Sequence, residues 1–274
     1  MPPVEPIEDP EDPRLADYRD IRDAQRRLRT GTFIAEGRQV VLRLLDARRY
    51  RARSAMVTPP ALEALGPALD AAGVRTFLVR LETVKAIVGI EFHHGCLAVG
   101  ERGLEPSPDA VFAEARTDRV VVLEDLGDAS NVGAIFRNAL ALHAGAVLLS
   151  PGTADPLYRK AIRVSAGAAV VLPFARLDDW PRDLERLRGG GYTLLALTPR
   201  AEAVDISALG TRCPRPSRVA LLLGTEGRGL SAGALAAADL QVRIPMAPEM
   251  DSLNVAAAGA VALHWLSRTE PAPA

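Results

Sequence analysis

Val219-Ala-Leu-Leu-Leu-Gly-Thr-Glu-Gly-Arg-Gly-Leu-Ser231 is an unbroken apolar run that opens into a glycine-rich loop. A strand with no polar alternation is buried on both faces, the signature of a parallel sheet covered by helices. Working outward, residues 120–123, 146–149, 170–172, 192–197 and 242–244 read as further strands of the same kind. Helical stretches at 132–144, 157–166, 180–187 and 232–238 separate several of them, and 253–266 reads as a final helix. Strands alternating with helices specify an α/β fold, with chemistry expected in the loops at the carboxyl ends of the strands.

The first half reads as a smaller α/β unit. Strands are expected at 32–35, 55–57, 76–79 and 95–99, with helices at 38–46, 60–72 and 81–88. The spacing of Val40, Val41, Leu44 and Leu45 is helical. The expected organisation is a flexible acidic extension at 1–20, a first domain at 21–105, a linker at 106–117 and a second domain at 118–269. With 274 residues the chain has ample length for two cores.

Composition excludes several classes. A hydrophobic fraction of 48% and a charged fraction of 24% are those of an ordinary globular protein. Cys96 and Cys213 are the only cysteines, which supplies neither a disulfide framework nor a zinc set. His93-His94-Gly95-Cys96 lacks a second ligand cluster, so no metal is expected. The chain begins without a basic region followed by an apolar run, so no signal peptide is expected. The apolar tail at 253–266 is too short for a membrane span, and a cytoplasmic protein is expected.

The formal charge of −1 hides an ordering. Residues 1–20 hold seven carboxylates against two arginines, whereas 22–53 hold ten arginines against three carboxylates. Of the 33 cations, only Lys85 and Lys160 are lysines. Arginine forks suit phosphates, and Arg26, Arg27, Arg29, Arg48, Arg49 and Arg51 are the expected phosphate contacts of the first half.

Three loops of the second half hold polar residues where strands end. Glu124-Asp125-Leu126-Gly127-Asp128-Ala129-Ser130-Asn131 leads into a helix carrying Arg137, with Ser130 or Asn131 as the expected cap. Gly224 to Ser231 lacks the Gly-Lys-Ser/Thr end of a phosphate-binding loop. It approaches a dinucleotide fingerprint in Gly227, Gly229 and Gly233, but Glu226 places negative charge where a pyrophosphate would lie. A nicotinamide-dependent oxidoreductase is therefore a weak alternative. In the third loop, Ile244-Pro245-Met246 leads to Asp251-Ser252-Leu253-Asn254, where Asp251 or Ser252 is the expected cap of the last helix.

Together these motifs carry a resemblance. Asn131-x-Gly133-x-x-x-Arg137, Gly224-x-Glu226-Gly227-x-Gly229-Leu230 and Ile244-Pro245-Met246 with Ser252-Leu253-Asn254-Val255-Ala256 resemble the SpoU/TrmH family of RNA ribose 2′-O-methyltransferases, of the SPOUT class. Phe33-Ile34-Ala35-Glu36-Gly37 and Leu97-Ala98-Val99 are similar to the family's substrate-binding domain, and the likeness spans roughly residues 22–268. Val132 and Thr225 stand where the family often has Pro and Asn.

The resemblance implies a parallel-sheet SPOUT domain ending in a trefoil knot, preceded by a smaller α/β RNA-binding domain. It implies a homodimer and S-adenosylmethionine as cofactor. Leu223, Gly224, Thr225, Gly229, Ile244, Met246 and Leu253 would line the cofactor pocket; Asn131, Arg137, Glu226, Ser252 and Asn254 would form the catalytic site. The reaction would methylate a ribose 2′-hydroxyl, of ribosomal RNA before tRNA. A thiostrepton-type resistance enzyme and a non-catalytic RNA-binding factor are the remaining alternatives. Arginine, with a pKa above about 12, is a poor base, so Arg137 is expected to hold a phosphate and stabilise the developing oxyanion.

Overall fold

The computed structural model describes residues 4–19, 21, 23–47, 49–88, 94–115, 117–209 and 216–267. Arg48, His93, Cys213 and the ends of the expected first and last segments (1–3, 20 and 268–269) lie outside the described residues.

In chain order the first elements are β1 (Val4–Pro6), α1 (Ala24–Thr30), β2 (Thr32–Glu36), α2 (Arg38–Ala47), β3 (Arg51–Val57), α3 (Pro59–Ala71), β4 (Arg75–Leu78), α4 (Leu81–Val88) and β5 (Cys96–Glu101). There follow α5 (Pro108–Glu114), β6 (Arg119–Leu123), α6 (Ala129–Ala141), β7 (Ala146–Leu149), α7 (Arg159–Val164), β8 (Phe174–Arg176), α8 (Leu184–Gly189), β9 (Thr193–Leu197) and β10 (Val204–Asp205). The chain closes with β11 (Val219–Leu223), α9 (Ala232–Ala237), β12 (Leu240–Arg243) and α10 (Val255–Ser267).

Two compact units result. Residues 1–105 with 156–171 make the first, and 106–155 with 172–274 the second. The segment bearing α7, expected in the second domain, belongs to the first unit. Its Arg159 forms an ion pair at 2.6 Å with Glu36, which is only 4% exposed at the end of β2. A buried carboxylate needs such a partner, so the pair ties α7 to β2.

The first sheet has the order β1-β4-β3-β5-β2, with β5 alone antiparallel. Its beginning corrects the expectation of a flexible extension. Val4 to Pro6 pair with Thr76 to Leu78, and Leu15, Tyr18 and Ile21 are fully buried. These three recur every third residue, so the short helical turn at Pro13–Tyr18 turns one apolar edge inward. The Tyr18 hydroxyl shares a 2.7 Å hydrogen bond with Ser54, and burial raises its pKa. Proline and acid obscured this edge because they occupy its solvent side.

The second sheet is wholly parallel, in the order β10-β12-β9-β11-β6-β7-β8. β11, the strand quoted first, lies near its centre and is buried along its length. The expected linker at 106–117 contains α5, capped by Ser107, with Val111 inside the second unit's core. The expected strand at 170–172 is instead the end of a short helical turn, and the edge strand is β8.

On one face α6 packs against α10. α10 also lies close over the end of β11, where a methyl group at Gly259 would lie 2.9 Å from the Leu223 side chain. The Asn138 amide donates to Ala256 O at 2.9 Å, and Arg119 donates to Leu266 O at 3.0 Å, tying both ends of α10.

Candidate active site

The carboxyl ends of β9, β11 and β12 converge in the second unit on a cavity of ≈ 350 Å³. The Gly224–Leu230 loop forms one wall. Thr225 and Gly229 exchange backbone hydrogen bonds at 3.2 and 3.0 Å, closing the loop on itself. A Cβ at Gly224 would lie 2.3 Å from Gly229 C and 2.4 Å from Leu230 N, so only glycine admits this closure. Gly229 adds a positive φ of 69°.

Glu124 anchors the far side of that loop. Its carboxylate is 4% exposed, accepts from Trp180 Nε1 at 2.5 Å and accepts from Ser231 N at 2.8 Å. That carboxylate occupies the end of α9 where a dinucleotide's pyrophosphate would bind, which removes the oxidoreductase reading.

Asn131, Glu226 and Asn254 meet beside the cavity although 123 and 28 residues separate Asn254 from the other two. Asn254 Nδ2 donates to Asn131 Oδ1 at 3.0 Å and to Glu226 Oε1 at 2.6 Å. Its Oδ1 accepts from Ala256 N at 3.0 Å and Ala257 N at 3.2 Å. Asn254 is therefore the cap of α10, in place of the expected Asp251 or Ser252. All four hydrogen-bonding positions of its side chain are filled, so it acts by positioning its neighbours. At α6 the cap is Asp128, which accepts from Ser130 N at 2.8 Å, rather than Ser130 or Asn131. This frees Asn131 to face Asn254.

Arg137 is exposed on α6 and Ser252 is exposed in the loop before α10; neither side chain has a hydrogen bond or ion pair among the described residues. Ser252 and Glu226 line the cavity. So do Leu223, Gly224, Thr225 and Gly229 from the glycine loop, and Ile244, Met246 and Leu253 from the last crossing. Sequence reasoning missed Leu197 to Arg200, which complete the wall at the end of β9; the Thr-Pro-Arg after that apolar strand was the available signal.

Residues 118–264 match the SpoU rRNA Methylase family. The chain belongs to that family. It is 42% identical over 259 residues to an uncharacterized tRNA/rRNA methyltransferase of Mycobacterium tuberculosis, covering 93% of this chain and 88% of that protein. The 23S rRNA (guanosine(2553)-2′-O)-methyltransferase of Bacillus subtilis is 26% identical over 254 residues, 91% of this chain and 94% of the relative. The AdoMet-bound rRNA methyltransferase from Sinorhizobium meliloti shares the fold, with a TM-score of 0.81 and 24% identity over 96% of this chain and 97% of its own. This SpoU-family chain is an RNA methyltransferase.

Of the six arginines expected to contact RNA, the five among the described residues are not brought together as one free surface. Arg26 donates to Ala16 O at 3.1 Å and the buried Arg27 to Arg19 O at 2.8 Å, bracing the first twenty residues. Arg51 pairs with Glu101 at 3.4 Å, and the Arg49 guanidinium lies 6.0 Å from the Tyr50 ring centre. Arg29 is exposed at the end of α1.

Proposed function

We propose that this SpoU-family enzyme transfers the methyl group of S-adenosylmethionine to a ribose 2′-hydroxyl of ribosomal RNA. The observation that carries the reading is the Asn131–Glu226–Asn254 cluster held at the wall of a cavity with the right character for the cofactor. The cavity is within the usual range for small-molecule sites. Leu197, Leu223, Ile244, Met246 and Leu253 give it an apolar side suited to an adenine, and Glu226 gives it negative charge suited to a cation. When bound, S-adenosylmethionine supplies a methyl group on a positively charged sulfur.

The chain's own residues then have separable tasks. Arg137, unpaired among the described residues and permanently charged, holds the phosphate beside the target ribose and stabilises negative charge as the hydroxyl loses its proton. Ser252 offers a free hydroxyl that orients the 2′-oxygen. Asn254 keeps Glu226 and Asn131 in place, and the proton leaves through a phosphate oxygen or water. Positioning supplies most of the acceleration in such a displacement.

A ribosomal substrate is supported by the separate first unit and by the named activity of the Bacillus subtilis relative. The reading includes the SPOUT trefoil knot, supported by the late strand β12 lying between β9 and β10. It also includes a homodimer acting in the cytoplasm. Ala257, Val261 and His264 give α10 an exposed and largely apolar stripe at helical spacing, and Val261 is 45% exposed. A second copy is its fitting cover.

The test is methyl transfer from labelled S-adenosylmethionine to deproteinised ribosomal RNA, followed by alkaline hydrolysis. A 2′-O-methyl group blocks cleavage of the adjacent phosphodiester, so the label is expected in alkali-resistant dinucleotides. Label in mononucleotides would place the methyl on a base and overturn the reading.

A further inference from the structure

The cations of the first unit are spread unevenly over its sheet. β1, β2, β3 and β4 run in one direction, so the sheet has an amino end and a carboxyl end. Near the amino end the guanidinium groups, that of the exposed Arg29 apart, are engaged within the unit. Arg75 and Arg14 both hold Glu5, at 2.6 and 2.8 Å. Arg53 holds Asp17 and Glu101, each at 3.1 Å, and Glu101 also holds Arg51. Arg19, Arg26 and Arg27 donate to backbone carbonyls. Arginines so engaged surrender their partners before they can grip a phosphate.

The carboxyl end is arranged differently. Arg38 follows β2 by two residues and Arg80 follows β4 by two. Both are exposed, and neither side chain has a hydrogen bond or ion pair among the described residues. The buried acid of this end, Glu36, is matched by Arg159, so it does not compete for Arg38. His94, 53% exposed, sits 3.9 Å from Glu36 at the same edge. Among the described residues the exposed acids of the region, Glu63 and Glu82, belong to helices α3 and α4. The first turns of α2, α3 and α4 also start at this end and add positive field. With two strands between β2 and β4, the two free arginines leave the sheet ~14 Å apart.

We propose that the carboxyl end of the first sheet, through Arg38 and Arg80, grips the phosphodiester backbone of the RNA substrate. Arg26, Arg27 and Arg51 serve instead to hold the unit together. The proposal rests on the RNA methyltransferase reading and assigns it a substrate surface.

The experiment compares binding of deproteinised bacterial 23S rRNA by the full chain, by an Arg38→Glu/Arg80→Glu variant and by an Arg29→Ala/Arg51→Ala variant. Each is titrated at several salt concentrations, with thermal unfolding confirming the fold. Arg38→Glu/Arg80→Glu is expected to lose at least ~tenfold affinity near 0.1 M salt and to flatten the slope of log K against log salt by about 1.4, the value for two phosphate contacts on a single strand. Arg29→Ala/Arg51→Ala is expected to stay within about twofold, since neither side chain is assigned a phosphate. Unchanged affinity in the first variant, or a loss confined to the second, overturns the proposal while leaving the methyltransferase reading intact. Failure of the unmutated chain to bind this RNA overturns both, and S-adenosylmethionine calorimetry then shows whether the cofactor site survives.

Discussion

The glycine loop at Gly224–Leu230 and the opening segment at Val4–Ile21 are both polar stretches beside apolar strands, yet they hold their shape by opposite means. The loop is closed by its own backbone, with Thr225 and Gly229 bonded to each other and Gly224 leaving room for the crossing. The opening segment has a capped helical turn at Pro13–Tyr18 and an internal Arg14–Glu5 pair, but its place is fixed from outside, by Leu15 and Tyr18 in the core and by Arg75 on Glu5. A self-closed loop announces itself in sequence through glycine spacing. A segment fixed by distant partners does not.

Four substitutions or conditions sharpen that contrast. The largest effect belongs to Leu15→Ala, which opens a cavity in the first unit's core and is expected to lower stability by ~2–5 kcal/mol. A change below ~0.5 kcal/mol in chemical denaturation would restore the flexible-extension reading. Gly224→Ala forces a methyl against the Gly229 and Leu230 backbone; about 1–3 kcal/mol of strain is expected. S-adenosylmethionine binding by calorimetry should disappear while the first unit's unfolding transition stays in place.

Asn254→Ala removes the cap of α10 and the link between Asn131 and Glu226, at a cost of ~1 kcal/mol. Asn254→Asp keeps the cap but sets a carboxylate against Glu226. It is expected to recover stability without recovering methyl transfer, a split that thermal melts and a transfer assay read together. Recovery of both would mean that Asn254 matters only as a cap.

The smallest effect is acid sensitivity of β1. Hydrogen bonds from Arg75 and then Arg14 hold the Glu5 carboxyl at about 2, well below its ordinary 4.5. A lowered carboxyl pKa adds stability that is complete above pH 4.5 and lost as pH falls toward 2. Glu5→Gln should therefore show a flatter acid titration of stability over that interval. A curve parallel to the unmutated protein would detach Glu5 from the docking of β1.

Most of the second unit was legible because its strands are unbroken apolar runs and its loops carry glycine, Asx and proline at their turns. β6, β7 and β11 lie where the runs put them, and the seven residues expected at the cofactor wall share one cavity. The cap positions were misread for a physical reason. Asp128, Ser130, Asn131, Asp251, Ser252 and Asn254 are all competent caps, and only three-dimensional partners choose among them. The helix α5 carried a readable Ser107-Pro108-Asp109 start that the two prolines disguised as a linker. Least legible were the arginines. The partner of Arg75 is 70 residues away and that of Arg51 is 50 away, so a run of positive charge did not reveal which guanidinium groups were already engaged.

The most direct test of the central claim pairs methyl transfer with cofactor binding in Arg137→Ala. The unmutated chain should place labelled methyl groups in alkali-resistant dinucleotides of ribosomal RNA. Arg137→Ala should lose at least about a hundredfold in rate while binding S-adenosylmethionine with unchanged affinity, because Arg137 acts on the developing charge rather than on the cofactor. Turnover retained in that variant, or cofactor affinity lost along with it, would contradict the account.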